Sequence, residues 1–221
     1  MNFLRYDSDF MMAISRIADY VILNVLCVVC SLPLVTAGAA ITAKYYVAMK
    51  LARKEEPSVW SAFWKSFRDN FKQATILWLI ALLLIAFLGV DWFLFWKTQL
   101  TSTASVFRIA LFVLSVLVAM SICCVFPILA RFHVTIPEAM RNAVLFSILH
   151  LPQMLLVMLL EFLPYYIGYH YMSWFIGIWV FCTGISLYYA GGMYAKAFAK
   201  AEQKAGIQTE SEAECEMGKE P

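Results

Sequence analysis

Charge is what this chain has least of. Only 14% of its 221 residues are charged and 62% are hydrophobic, whereas soluble domains carry about 25% and roughly 45–50%. The formal net charge of +2 is too small to attract nucleic acid. The sequence also lacks a glycine-rich phosphate loop, a two-histidine zinc helix and a nucleophile elbow. No enzyme, cofactor or metal is therefore expected. Six cysteines do not make a disulfide framework, because Cys27, Cys30, Cys123, Cys124 and Cys182 lie in apolar runs and Cys215 stands alone in the tail. Cys27-Val-Val-Cys30 has a spacing that suggests redox or zinc chemistry in a soluble protein. Here no His, Asp or Glu accompanies it, and a thiolate is unfavourable in hydrocarbon, so these read as packing thiols.

What the chain has instead is long apolar runs, with a mean hydropathy of +0.73. Runs of 18 or more apolar residues read as membrane spans. Five are expected, at about 17–37, 74–96, 106–129, 143–163 and 174–194. Each is a helix, since a lone spanning segment must satisfy its own backbone hydrogen bonds. The first run exceeds the ~7–15 residues of a signal-peptide core, so it reads as a retained span. The expected fold is an all-α polytopic bundle over 1–204, followed by a disordered acidic tail, 205–221, rich in glutamate.

Lys and Arg set the orientation. Thirteen lie between the first two spans, between the third and fourth, or after the fifth, and four lie on the other side. The positive-inside rule puts the amino terminus outside and the carboxyl terminus in the cytoplasm of a plasma-membrane protein. Before the first span, Phe3, Leu4, Phe10, Met11, Met12 and Ile14 are apolar enough for residues 1–15 to lie along either interface.

One cytoplasmic stretch, 59–72, has a pattern of its own. Trp60, Phe63, Trp64, Phe67 and Phe71 fall on one helical stripe, with Lys65, Arg68, Asp69 and Lys72 on the rest. An aromatic stripe opposite a basic face describes an interfacial helix anchored in the inner leaflet. A helix packed on the bundle shares that pattern. The expected path turns at about 70–73 and then enters the second span.

Ionisable residues inside a membrane protein are the default functional candidates. Asn24 and His150 lie within spans. Asp19, Asp91 and Glu161 lie near outer ends, with Trp92, Trp96 and Trp174 around them. That group reads either as an aromatic belt with interfacial carboxylates or as an outer sugar-binding vestibule, where rings stack on sugar faces and carboxylates accept from hydroxyls. Gly177, Gly184 and Gly191 repeat every seven residues and share a helix face suited to close packing, within the bundle or in a homodimer. Pro137-Glu-Ala-Met-Arg-Asn-Ala143 followed by Leu151-Pro152 echoes the cytoplasmic coupling loop of ABC permeases, without its glycine.

The run Asp19-Tyr-Val-Ile-Leu-Asn-Val-Leu-Cys-Val-Val-Cys-Ser-Leu-Pro-Leu-Val-Thr-Ala-Gly-Ala-Ala-Ile-Thr-Ala-Lys-Tyr-Tyr46 resembles the opening of the YesL-like integral membrane proteins of Gram-positive bacteria, which carry a domain of unknown function. Asn70-Phe-Lys-Gln-Ala74 and Pro127-Ile-Leu-Ala-Arg-Phe132 resemble two further signatures of that family. The resemblance implies a place beside carbohydrate uptake, and assigns no activity and no functional residues. The expected function is thus a non-enzymatic accessory of oligosaccharide uptake, with the bilayer and a sugar ABC transporter as partners. The alternatives are a small homo-oligomeric transporter and a membrane-bound sensor or scaffold. A polar path through the bundle would favour the transporter, and a solid apolar core the others.

Overall fold

The computed structural model describes residues 9–53, 55, 58–97, 104–132, 134–171, 183, 184 and 186–203. All elements among them are helices: α1 (Asp9–Cys30), a short 3-10 turn (Leu34–Thr36), α2 (Ala37–Ala52), α3 (Val59–Lys97), α4 (Ala104–Arg131), α5 (Ile136–Leu149), α6 (Leu151–Tyr171) and α7 (186–203). Trp174, Gly177 and the acidic tail lie outside the described residues, as do residues 1–8 and the side chain of Trp96.

Two helical stretches, Val59–Phe95 and Phe107–Arg131, are each long and apolar enough to cross a membrane. A third candidate forms if Ile136–Leu149 and Leu151–Phe162, bent by 103° at His150, count as one span. Ala18–Ser31 is a shorter apolar stretch. Among the described residues these are two or three candidates; the fifth expected span, 174–194, lies largely outside them, and the departures from the other four have local causes.

The expected first span, 17–37, ends early. α1 stops at Cys30, where Ser31 Oγ donates back to Cys27 O at 2.7 Å and Pro33 follows in extended backbone. Proline cannot continue the hydrogen-bond ladder, and it biases the residue before it away from helix. Thr36 Oγ1 then donates to Cys30 O at 2.6 Å and closes the turn.

The chain returns as α2, in the segment expected to be a cytoplasmic loop. Twelve of the sixteen residues of α2 are buried, so it has packed neighbours on nearly every side, as a helix in the middle of a bundle does. At a rise of ~1.5 Å per residue it is about 24 Å long, short of the ~30 Å hydrocarbon core. Its small residues permit this burial. A Cβ added at Gly38 would lie 2.5 Å from Ala74 O and 2.6 Å from Trp78 Cβ, so α2 and α3 approach backbone to backbone there. Trp78 Nε1 caps the contact by donating to Leu34 O at 2.8 Å.

α3 runs unbroken from Val59 to Lys97, so the turn expected at 70–73 is absent. No proline occurs in this segment, and its one glycine, Gly89, lies far beyond the expected turn. Asn70 Nδ2 donates to Ser66 O within the helix at 3.1 Å. The aromatic stripe therefore belongs to the same rod as the apolar segment. Phe63 is wholly buried, Trp64 and Phe67 pack against the core, and Trp60 and Phe71 are exposed. The middle of the stripe is thus turned onto protein.

Contacts between the helices fix their directions. α1 and α2 are antiparallel, with Tyr20 Oη donating to Ala48 O at 3.4 Å at one end and Thr36 bonded to Cys30 at the other. α2 and α3 are antiparallel, with Gly38 against Ala74 and Trp78. α3 and α4 are antiparallel through Trp92–Ser115 and Trp78–Phe126. α4 and α7 run parallel, because Tyr194 Oη donates to Cys123 O at 3.1 Å and Arg131 pairs with Glu202 through two 3.0 Å bonds. The α4–α5 turn borders a cleft lined by Phe67–Gln73, Val134, Thr135 and Glu138. The basic segments of α3, the α4–α5 turn and α7 therefore meet at one end of the bundle.

The Gly38 approach yields a prediction. Gly38→Ala should destabilise the protein by about 1–3 kcal/mol through overpacking. Gly89→Ala, which meets nothing within 4 Å, should leave stability unchanged or slightly raised. Thermal unfolding of both variants in detergent is the check, and equal midpoints would contradict the close α2–α3 packing.

A candidate site around a buried ion pair

α2 carries Lys44 into the bundle. Its Nζ lies 4.0 Å from Glu161 Oε2 on α6, and the two side chains retain only 10% and 17% of their exposure. Tyr45, the next residue, donates its hydroxyl to Glu161 Oε1 at 2.8 Å. The Tyr45 ring meets the Tyr194 ring of α7 edge-on at 5.5 Å. Four helices thus converge on one carboxylate and its neighbours: α2 supplies Lys44 and Tyr45, α6 Glu161, α7 Tyr194 and α4 Cys123.

The energetics explain the grouping. Desolvating a charge costs several kcal/mol, and this is recovered only when a partner and further hydrogen bonds are in place. Glu161 has both, an ammonium on one oxygen and a phenol on the other. Beside the pair is a cavity of about 660 Å³, lined by Cys27, Ser31, Lys44, Tyr45, Trp78 and Glu161 among others. The arrangement offers a cation, an anion and a hydroxyl next to aromatic surface. The described residues hold no group of three or more His, Cys, Asp or Glu able to bind a metal.

The residues proposed from sequence are distributed differently. Glu161 is in the cluster, where its partners among the described residues are Lys44 and Tyr45. Trp92 donates to Ser115 Oγ at 3.1 Å, Asp91 lies beside it on α3, and Asp19 is half-buried on α1. No contact among the described residues joins Asp19, Asp91 and Glu161 into one vestibule. Asn24 ties α1 to the start of the last helical segment, its Nδ2 donating to Thr183 Oγ1 at 3.2 Å. His150 marks the break between α5 and α6, stacked on Phe146 at 4.4 Å, and its buried Nδ1 has no hydrogen-bond partner among the described residues. Gly184 packs against Val21 and Asn24, and a Cβ at Gly191 would lie 3.1 Å from Ala48 Cβ.

Lys44, Tyr45 and Tyr194 escaped the sequence reading. Lys44 falls among the loop cations by position, although a lone lysine between Ala-rich and aromatic residues, six positions from the nearest other charge, marks a buried helix as well as a loop. The α5 start had a clearer signal. Thr135-Ile-Pro-Glu138 has the spacing of a capping box, and Thr135 N donates to Glu138 Oε2 at 2.9 Å.

A helical membrane bundle with an ion pair in its interior is therefore the class defined by fold and site. Residues 20–92 match the family model described as "Protein of unknown function, DUF624", which is consistent with the chain being a member of that family. The match covers about a third of the chain. It takes in the second half of α1, all of α2 and α3 to Trp92, and so includes Lys44 and Tyr45 but not Glu161. No curated protein and no solved structure matches the chain.

The pair predicts non-additive mutations. Glu161→Gln alone strands the Lys44 ammonium and should cost about 3–5 kcal/mol. Lys44→Met combined with Glu161→Gln removes both charges, keeps an acceptor for Tyr45, and should recover most of that loss. Folded yield and thermal midpoints of the single and double variants test this, and additive losses would contradict a direct pairing.

Proposed function

We propose that the chain is a non-enzymatic accessory of carbohydrate uptake in the plasma membrane, acting through the basic end of the bundle. The observation that carries this reading is the character of the interior. The buried core is almost wholly apolar. Most buried polar groups outside the Lys44 cluster serve as ties: Thr42 to Gly38 O, Ser147 to Ala143 O, Ser186 to Leu160 O and Asn24 to Thr183. Such an interior supports a packed partner over a conduit. The basic end, with its cleft of about 820 Å³ between α3 and the α4–α5 turn, has room for a cytoplasmic contact. The carbohydrate assignment rests on the family resemblance alone. A small homo-oligomeric transporter is the second reading, and the Lys44–Glu161 cavity favours it.

For topology we propose that both termini are cytoplasmic. The alternation of helix directions supports this reading in place of an external amino terminus. α1 runs parallel to α3 and opposite to α4 and α7, whose basic ends face the cytoplasm by the positive-inside rule. Removing buried Lys44 from the loop count leaves that bias intact.

Two measurements test the proposal. An amino-terminal epitope should be inaccessible to protease in intact cells and cleaved in inverted vesicles, and cleavage in intact cells would overturn the topology. Affinity purification from native membranes should recover subunits of a sugar importer in stoichiometric amount. Recovery of the chain alone, together with sugar uptake by proteoliposomes containing only this protein, would establish the transporter instead.

A further inference from the structure

The cavity beside Lys44 has a mouth of a particular kind. Its floor is polar: Lys44, Tyr45 and Glu161. Its rim includes Val28, Leu32 and Phe162, which are 47%, 79% and 55% exposed. In a membrane-embedded bundle, exposed apolar side chains of this size face acyl chains, since water would leave their burial unrealised. The cavity is thus entered from the lipid phase and ends on a charged pair. A second cavity, of about 280 Å³ between α3, α4 and α5, is lined by Leu77, Leu84, Leu114 and Val144 among others, without a charged group. The second cavity thus lacks the ionic floor that the first has.

We propose that this cavity binds a membrane lipid with a zwitterionic ammonium–phosphate headgroup. The charges decide the class. Lys44 Nζ and Glu161 Oε2 are 4.0 Å apart, comparable with the separation of phosphate and amine in an ethanolamine headgroup. Such a headgroup exchanges the internal pair for two external ones, phosphate on Lys44 and ammonium on Glu161. Each buried charge keeps a partner, so the exchange avoids the penalty of a stranded ion. An anionic headgroup satisfies Lys44 but faces Glu161 uncompensated. A cationic one does the reverse. Tyr45 holds the carboxylate in place through its hydroxyl, and the acyl chains leave between Val28, Leu32 and Phe162. The inference needs the chain to be membrane-embedded and is independent of the carbohydrate reading.

The test uses the full chain in nanodiscs containing equal amounts of phosphatidylethanolamine, phosphatidylglycerol and a diglucosyl diacylglycerol with the same acyl chains. Lipids retained after detergent exchange are identified by native mass spectrometry. Phosphatidylethanolamine should be retained about tenfold over each of the others. The Lys44→Met/Glu161→Gln variant should lose that preference. Leu32→Trp narrows the mouth at an exposed position without touching the pair, and should lower retention even if the double variant folds poorly. Equal retention of all three lipids, preference for the glycolipid or the anionic lipid, or full retention by Leu32→Trp would each overturn the proposal. So would displacement of the bound lipid by soluble glycerophosphoethanolamine at equal concentration, because the apolar mouth would then contribute nothing.

Discussion

An ammonium group inside a helix bundle needs a partner that offsets its desolvation, and here a carboxylate meets it. Lys44 is held by α2, which has packed neighbours on nearly all sides, and Glu161 reaches it from α6. That requirement couples two parts of the chain that are distant in sequence. It brings α6 against α2, and Tyr194 and Cys123 complete the enclosure from α7 and α4. Small residues on α2 and α7 make it possible. Without the close approaches at Gly38 and Gly191, α2 would stand off from its neighbours and Lys44 would be wet.

Much of the architecture was legible in the sequence, because hydrocarbon selects for it. Helices with long apolar windows at 74–96 and 106–129 follow from residue type alone, and they are the two that stand as candidate spans by themselves. α2 was not legible by that route. Sixteen residues rich in alanine, with Lys44 and Lys50 among them, fall below any window average that marks a span, yet small residues bury well among other helices. The expected turn at 70–73 came from a change in composition. A change of composition does not by itself end a helix, and no proline or glycine is present there to favour a break.

The site was half legible. Glu161 stands out because a carboxylate in an apolar run needs a partner. The sequence gives no measure of which face of a helix meets which neighbour across a hundred residues, so nearby aromatic residues were taken as its company. Trp92 instead spends its indole N–H on Ser115. His150 was singled out for its depth, and it occupies the point where α5 and α6 diverge by 103°. A half-buried residue whose ring nitrogen meets no partner among the described residues, at a helix break, is an arrangement that periodicity does not reveal.

The central claim is that Lys44 and Glu161 face each other in the membrane-embedded protein. Exchanging the charges tests it most directly. Lys44→Glu places two carboxylates together and Glu161→Lys two ammonium groups, and each single variant should sharply reduce the folded, detergent-extractable protein. The double exchange restores one charge of each sign at the site and should return the folded amount to most of the wild-type level. A double variant that loses as much as the two singles combined would show that the residues do not meet, and that α2 does not bring Lys44 to α6.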